Sequence, residues 1–232
     1  MTPPDPAAVG GPALMDDKES TSLRLRLRRI ARTPLRSVPP ETEVKIRGRL
    51  ALRGPALAAP VTGTPCVLYC LDAVDTWVSL HLGGEELPPS STGVRLPREI
   101  RGLDLLLDDG TARALVRVDG AQLSMLGNWM TSSATTRAQF LTARGRPPPG
   151  SPDGPDDRRY LQRYLEYREL KIVPGELITV LGRADYRADP EPPASSESAA
   201  YRVPHHRCVF TATATSPLYI IQERVVALDA VG

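Results

Sequence analysis

Apolar residues recur at every second position through the most legible parts of this chain. In EVKIRGRLAL, Val44, Ile46, Gly48, Leu50 and Leu52 alternate with Lys45, Arg47 and Arg49. Successive residues of an extended chain face opposite ways, so this stretch is expected to be a strand with one wet face. VDTWVSLHL repeats the pattern, with Val74, Thr76, Val78, Leu80 and Leu82 against Asp75, Trp77, Ser79 and His81. LDLLLDDGTARALVRVDG reads as a hairpin, because Asp109-Gly110 supplies the positive φ of a tight turn between two apolar runs. A second turn is expected at Pro174-Gly175, followed by a strand from Leu177 to Ala184, and CVFTATAT and PLYIIQ read as two closing strands. A short helix is expected near Thr136 to Thr142. Residues 160 to 165 suit the first turns of another, since Tyr160, Leu161, Tyr164 and Leu165 fall at helical spacing. At least seven strands with several hairpin turns predict a mainly β fold, an antiparallel barrel or sandwich with OB-like elements, one or two short helices and long Pro-rich loops.

Composition refines the boundaries. Of 232 residues 41% are hydrophobic but only 5% aromatic, so the core must rest on Val, Leu, Ile and Ala. The 24 prolines cluster in segments that pack poorly. Residues 1–22 are therefore read as a disordered tail, and 39–228 as one β domain with loop insertions near 83–101, 144–158 and 188–200. Between them, 23–38 form an arginine-rich amphipathic element, helix or strand, that Pro34 must end. It is expected to pack by its leucines, and Arg24, Arg26, Arg28 and Arg29 offer a weak contact to anionic surfaces. A net charge of +2 gives no basic field that recommends nucleic acid. Lys18, Lys45 and Lys171 are the only lysines, an arginine bias expected of a GC-rich, bacterial genome. Three cysteines argue against a disulfide framework. No stretch has the form of a signal peptide or membrane span, and a soluble, cytoplasmic protein is expected.

Three segments in order resemble one family. EVKIRGRLALRGPALAAPVTGTPCVLYCLDAV, with Gly48, Ala59, Pro60, Gly63, Cys66 and Tyr69, is similar to the opening of the GIDE domain. This domain, also called BAM, is the non-RING part of a membrane-anchored mitochondrial E3 ubiquitin ligase. The 103–121 hairpin and YREL.IVPGELITVLGRA resemble its next two motifs, and SPLYIIQERV its end, so that the resemblance covers about residues 40–226. It implies a β domain that senses or presents a partner. The sequence holds no RING, which needs eight Cys/His ligands, so ligase activity is not carried over. The expected function is a non-catalytic protein-interaction or sensing domain with another protein as partner. The alternative is an OB-like binder of single-stranded nucleic acid, using Tyr160, Tyr164 and Tyr167 interleaved with Arg158, Arg159, Arg163 and Arg168, with Trp77 as a further face.

Other chemistry is weaker. Cys66 and Cys70, with His205 or His206 and Cys208, make a nominal zinc set, but four residues of strand hold two Cα atoms about 13 Å apart, too far for one zinc or a disulfide. Cys66, Leu68 and Cys70 are instead expected to share one face of a buried strand. On a strand, His206 and Cys208 point in parallel about 6.6 Å apart, too far for a base to activate a thiol. Asp108 and Asp109 suit turn chemistry, while Glu166 and Glu169 interleave with arginines as a solvated charge ladder. No catalytic, cofactor or metal residue is assigned, and no enzyme is expected.

Overall fold

Strands dominate the computed structural model, which describes residues 11–52, 54–79, 90–125, 127–145, 160–188 and 206–223. In chain order its elements begin with β1 (Ala13–Leu14), α1 (Asp17–Leu27), a 3-10 turn at Leu35–Ser37, β2 (Glu43–Ala51), β3 (Leu57–Ala58) and β4 (Pro65–Cys66). They continue with β5 (Leu68–Ser79), β6 (Ser90–Arg95), β7 (Glu99–Gly102), β8 (Leu105–Asp108), β9 (Arg113–Val116), β10 (Gln122–Ser124) and β11 (Met130–Thr131). The last are α2 (Ala134–Thr142), β12 (Tyr160–Ile172), β13 (Leu177–Ala188), β14 (His206–Phe210) and β15 (Tyr219–Gln222).

Five strands close on themselves in the order β2, β8, β9, β14, β13 and back to β2. All these pairings are antiparallel except β9 with β14, where Ala114, Leu115 and Val116 run parallel to Cys208, Val209 and Phe210. A five-stranded barrel with one parallel pair joining its third and last strands is the closure of an OB-type barrel. The period-two pattern of β2 delivers Val44, Ile46 and Leu50 to the interior, where they meet Leu105, Leu107, Val116, Val180 and Phe210 in the main apolar cluster. Leu52 lies past the end of the strand and is exposed. Asp109 and Gly110 make the expected β8–β9 turn, with Gly110 at φ 83° and Gly175 at 82° in the turn before β13.

Gly48 marks the tightest point of the wall. A Cβ there would stand 2.6 Å from the Asp108 carbonyl oxygen of β8, a backbone atom with no room to retreat. Gly48→Ala is therefore expected to cost about 1–3 kcal/mol, the usual penalty of overpacking. Gly54→Ala is the control, because nothing lies within 4 Å of its Cβ. Equal denaturant midpoints for the two variants would refute the close approach.

A second, five-stranded sheet is built on the β5–β12 ribbon, with β6 and β7 along one side of β5 and β11 outside β12. The ribbon buries opposite faces at its two ends. Leu68 and Cys70 with Leu170 and Ile172 face the barrel core, while Leu71, Ala73, Leu165 and Tyr167 pack under Phe140 and Leu141 of α2. This corrects two expectations. Residues 160–172 are strand throughout, because their register with β5 runs from Tyr160 to Ile172; large apolar residues adjacent in sequence, such as Tyr164 and Leu165, imitated helical spacing although neighbours on a strand face opposite ways. Cys66 and Cys70 do not share a face: the chain bends at Val67, and Cys66 turns to Ala59 and Tyr69 while Cys70 joins the core.

Two further expectations are revised. The 83–101 insertion contains β6 and β7, edge strands with Val94 exposed and too few buried residues to show a period. Residues 13–22, read as disordered tail, form β1 and most of α1. Asp16 accepts from the Glu19 N–H at 2.7 Å while Glu19 accepts from the Asp16 N–H at 3.2 Å, a capping box that starts the helix. Leu23 and Leu27 then bury against Leu181 and Ile221 on the outside of the barrel. Residues 1–10 and most of the 144–158 and 188–200 insertions lie outside the described residues.

Candidate functional site

The family-like turn at 59–66 is a structural clasp. Gly63 takes φ 66°, Ala59 N–H donates to the Thr64 carbonyl at 2.9 Å and Gly63 N–H to the Ala59 carbonyl at 2.8 Å. Glu169 on β12 accepts from Val61 N–H at 2.7 Å, Thr62 N–H at 3.3 Å and Thr62 Oγ1 at 2.5 Å. With 2% of its side chain exposed, Glu169 is no rung of a solvated ladder but the post on which the turn hangs. Its charged neighbours in the sequence suggested a ladder instead, since the residues it binds lie more than a hundred positions away.

The thiols are equally committed. Cys66, Cys70 and Cys208 are buried and unpaired by disulfides. Burial pushes Cys70 up to about 11, with Asp72 adding to it, and Cys208 to about 11, with Asp185 adding. Cys66 is raised as well, by burial first and then Glu169. Protonated, enclosed thiols are poor nucleophiles and poor metal ligands at neutral pH. His205 and the side chain of His206 lie outside the described residues.

The carboxylates near the two sheets hold structure together. Asp109 accepts from Leu35 N–H at 2.8 Å and Thr111 N–H at 2.8 Å, tying the β8–β9 turn to the 3-10 segment. Tyr69 donates to Glu99 at 2.5 Å, and Arg144 donates to the same carboxylate at 2.6 Å. Burial, then that bond to Glu99, pushes the Tyr69 phenol to about 12.

The Tyr/Arg segment divides. Tyr167 is buried under α2, and Arg168 donates to Asp72 at 3.0 Å. Neither stands free as part of a stacking platform. Arg158 and Arg159 and the side chains of Tyr160, Arg163 and Trp77 lie outside the described residues. Of the amino-terminal arginines, Arg24 donates to the Ser124 and Gln222 carbonyls, Arg26 lies 3.6 Å from Glu43, and Arg28 and Arg29 are exposed.

What the sequence did not single out is the outer edge of the second sheet. Met130 and Thr131 pair only with Tyr167 and Glu166 of β12, and among the described residues nothing pairs with the other side of β11. Ser132 N–H donates to the Leu165 carbonyl at 2.9 Å, and by the alternation of an antiparallel ladder Thr131 directs its own N–H and C=O away from β12. Met130 is 57% exposed and Trp129 47%, the indole lying 5.9 Å from the Arg168 guanidinium carbon. Residues 127–136 carry no charge at all. The signal was present as an uncharged NWM run, but a single Trp-Met pair has no period to announce it.

The chain matches no family model, no curated protein and no solved structure. Among the described residues no helix is long and apolar enough to cross a membrane.

Proposed function

We propose that this chain is a non-catalytic protein-interaction or sensing domain that takes an extended segment of another polypeptide along β11. The observation that carries the reading is the unprotected edge. Sheet edges are ordinarily blunted by charge, proline or a covering element, because an open ladder recruits strands. Here the edge is uncharged, uncovered among the described residues and topped by two large apolar side chains. A partner strand would gain main-chain hydrogen bonds from Thr131 and side-chain contact from Trp129 and Met130, the mode of recognition by strand addition. Buried thiols and carboxylates engaged in internal bonds support a binding role over a catalytic one, and the resemblance to the GIDE/BAM module, itself part of a ubiquitin ligase, agrees with it.

The OB-type closure favours single-stranded nucleic acid as a second reading, since that fold presents grooves to oligonucleotides. One experiment separates the two. Tagged wild-type chain and a Trp129→Ser/Met130→Lys variant are incubated with nuclease-treated host lysate. A protein retained by the wild type and lost by the variant is expected. Retention unaffected by the double substitution, or recovery of material only when the nuclease is omitted, would sink the strand-addition reading.

A further inference from the structure

The outward residues of β2 are Lys45, Arg47 and Arg49. Lys45 serves α1, its Nζ donating to the carbonyls of Leu27 at 2.7 Å and Ile30 at 2.9 Å where the helix ends. Past that point the strand lies in an open cleft of about 550 Å³, walled by the Asp109–Gly110 turn on one side and the Gly175 turn on the other. Through Arg47 the cleft continues into a hollow of about 460 Å³ beside Arg24, Arg28 and Glu223.

The cations here are held in place but incompletely neutralised. Arg49 Nη1 donates to the Gly175 carbonyl at 3.0 Å, a neutral acceptor that fixes the guanidinium without cancelling it. Arg32 Nη2 sits 3.4 Å from the Asp109 carbonyl and 3.9 Å from its carboxylate. That carboxylate is occupied by Leu35, Thr111 and Ala112. Arg47 is 3.6 Å from Glu223, and Asp108 is engaged by Arg113 at 2.9 Å. Across the two hollows six cationic side chains meet three carboxylates.

We infer that this cleft binds a small ligand bearing a phosphoryl group, gripped between Arg32 and Arg49 with Arg47 between them. Guanidinium forks match the oxygens of a phosphoryl dianion, which accepts from several donors at once. The volume lies in the range of small-ligand pockets, about 300–1,000 Å³. A nucleic-acid backbone fits less well, because Asp108 beside Arg49 and Glu223 beside Arg47 interrupt any continuous basic track. The cleft is on the barrel and β11 on the other sheet, so this inference stands or falls apart from the strand-addition reading.

The test is calorimetric titration of the full chain with inorganic pyrophosphate at low ionic strength, against sodium chloride of matched ionic strength. Saturable one-to-one binding is expected, weakened at least about tenfold, or 1.4 kcal/mol, by Arg32→Ala and by Arg49→Ala. Arg49→Lys, which keeps the charge but not the fork, should recover part of the loss. Arg187→Ala, removing an exposed arginine paired with Asp185 on β13, should change nothing. All three sites are solvent-exposed, so the variants remain folded, as a thermal melt verifies. The inference is overturned if pyrophosphate does no more than matched chloride, or if binding survives both alanine variants. Tighter, salt-steep binding of an oligothymidylate would also overturn it in favour of a polyanion.

Discussion

Arg137→Ala is expected to lower the stability of the fold by about 3–5 kcal/mol, the cost of leaving one member of a buried ion pair without the other. Arg137 projects from α2 with 5% of its side chain exposed, and meets Asp75 of β5, 14% exposed, through paired bonds of 2.6 and 2.9 Å. The apolar cluster beneath α2 is small, with Phe140 and Leu141 as its helical members. The helix therefore depends on this two-pronged bond for its position more than a helix on a large core would. Denaturant unfolding measures the loss, and Arg144→Ala, in the turn just past the end of the same helix and with its side chain 26% exposed, is the comparison. If Arg137→Ala costs no more than Arg144→Ala, the pair contributes orientation and little stability.

The second large effect concerns Asp72 and acid. Burial by itself pushes this carboxyl up, but the bonds and charges of Arg98 and Arg168 outweigh burial and hold it below its ordinary value. Arg98 donates at 2.7 and 3.2 Å and Arg168 at 3.0 Å. A carboxyl whose folded value lies below its unfolded one, about 3.9, contributes stability that is fully present above that pH. The contribution fades as pH falls through the folded value. Wild type should accordingly lose stability steeply below about pH 4. Asp72→Asn, with two arginines left facing an amide, should cost about 3 kcal/mol at pH 7 and show a shallower acid limb. Melting temperatures of both proteins from pH 7 to pH 3 decide the matter: parallel curves would mean that Asp72 is not the group that titrates. Glu99, also held low against burial by Tyr69 and Arg144, adds to the wild-type slope in the same direction.

The barrel was legible where a strand buries one face only, as β2 does. Val44, Ile46 and Leu50 advertise β2, and Asp109-Gly110 its neighbouring hairpin, through local chemistry alone. The β5–β12 ribbon was harder to read. Leu165 and Tyr167 face α2 whereas Leu170 and Ile172 face the barrel, so the apolar residues change parity within one strand. Cys66 and Cys70 keep the same parity but are separated by the bend at Val67, which no local residue pattern announces. α1 was legible in principle from the spacing of Asp16 and Glu19, but its low apolar content concealed it. The candidate sites were the least visible. Among the described residues β11 is open because nothing pairs with its outer side, and the arginine cleft joins Arg32, Arg49 and Gly175 from distant parts of the chain.

Barrel closure also has an order in time. β2 finds its second neighbour only in β13, where Ile46 meets Val180, and β9 must wait for β14, where Ala114 meets Cys208. Arg24 of α1 likewise reaches the Gln222 carbonyl, 198 residues further on. A nascent chain emerging from the ribosome thus carries β2 and the β8–β9 hairpin as an open, apolar half-barrel until Phe210 has been made. During that interval the chain is exposed to chaperones and to mispairing, and release of the last closing strands, more than synthesis of the first, sets when folding can finish.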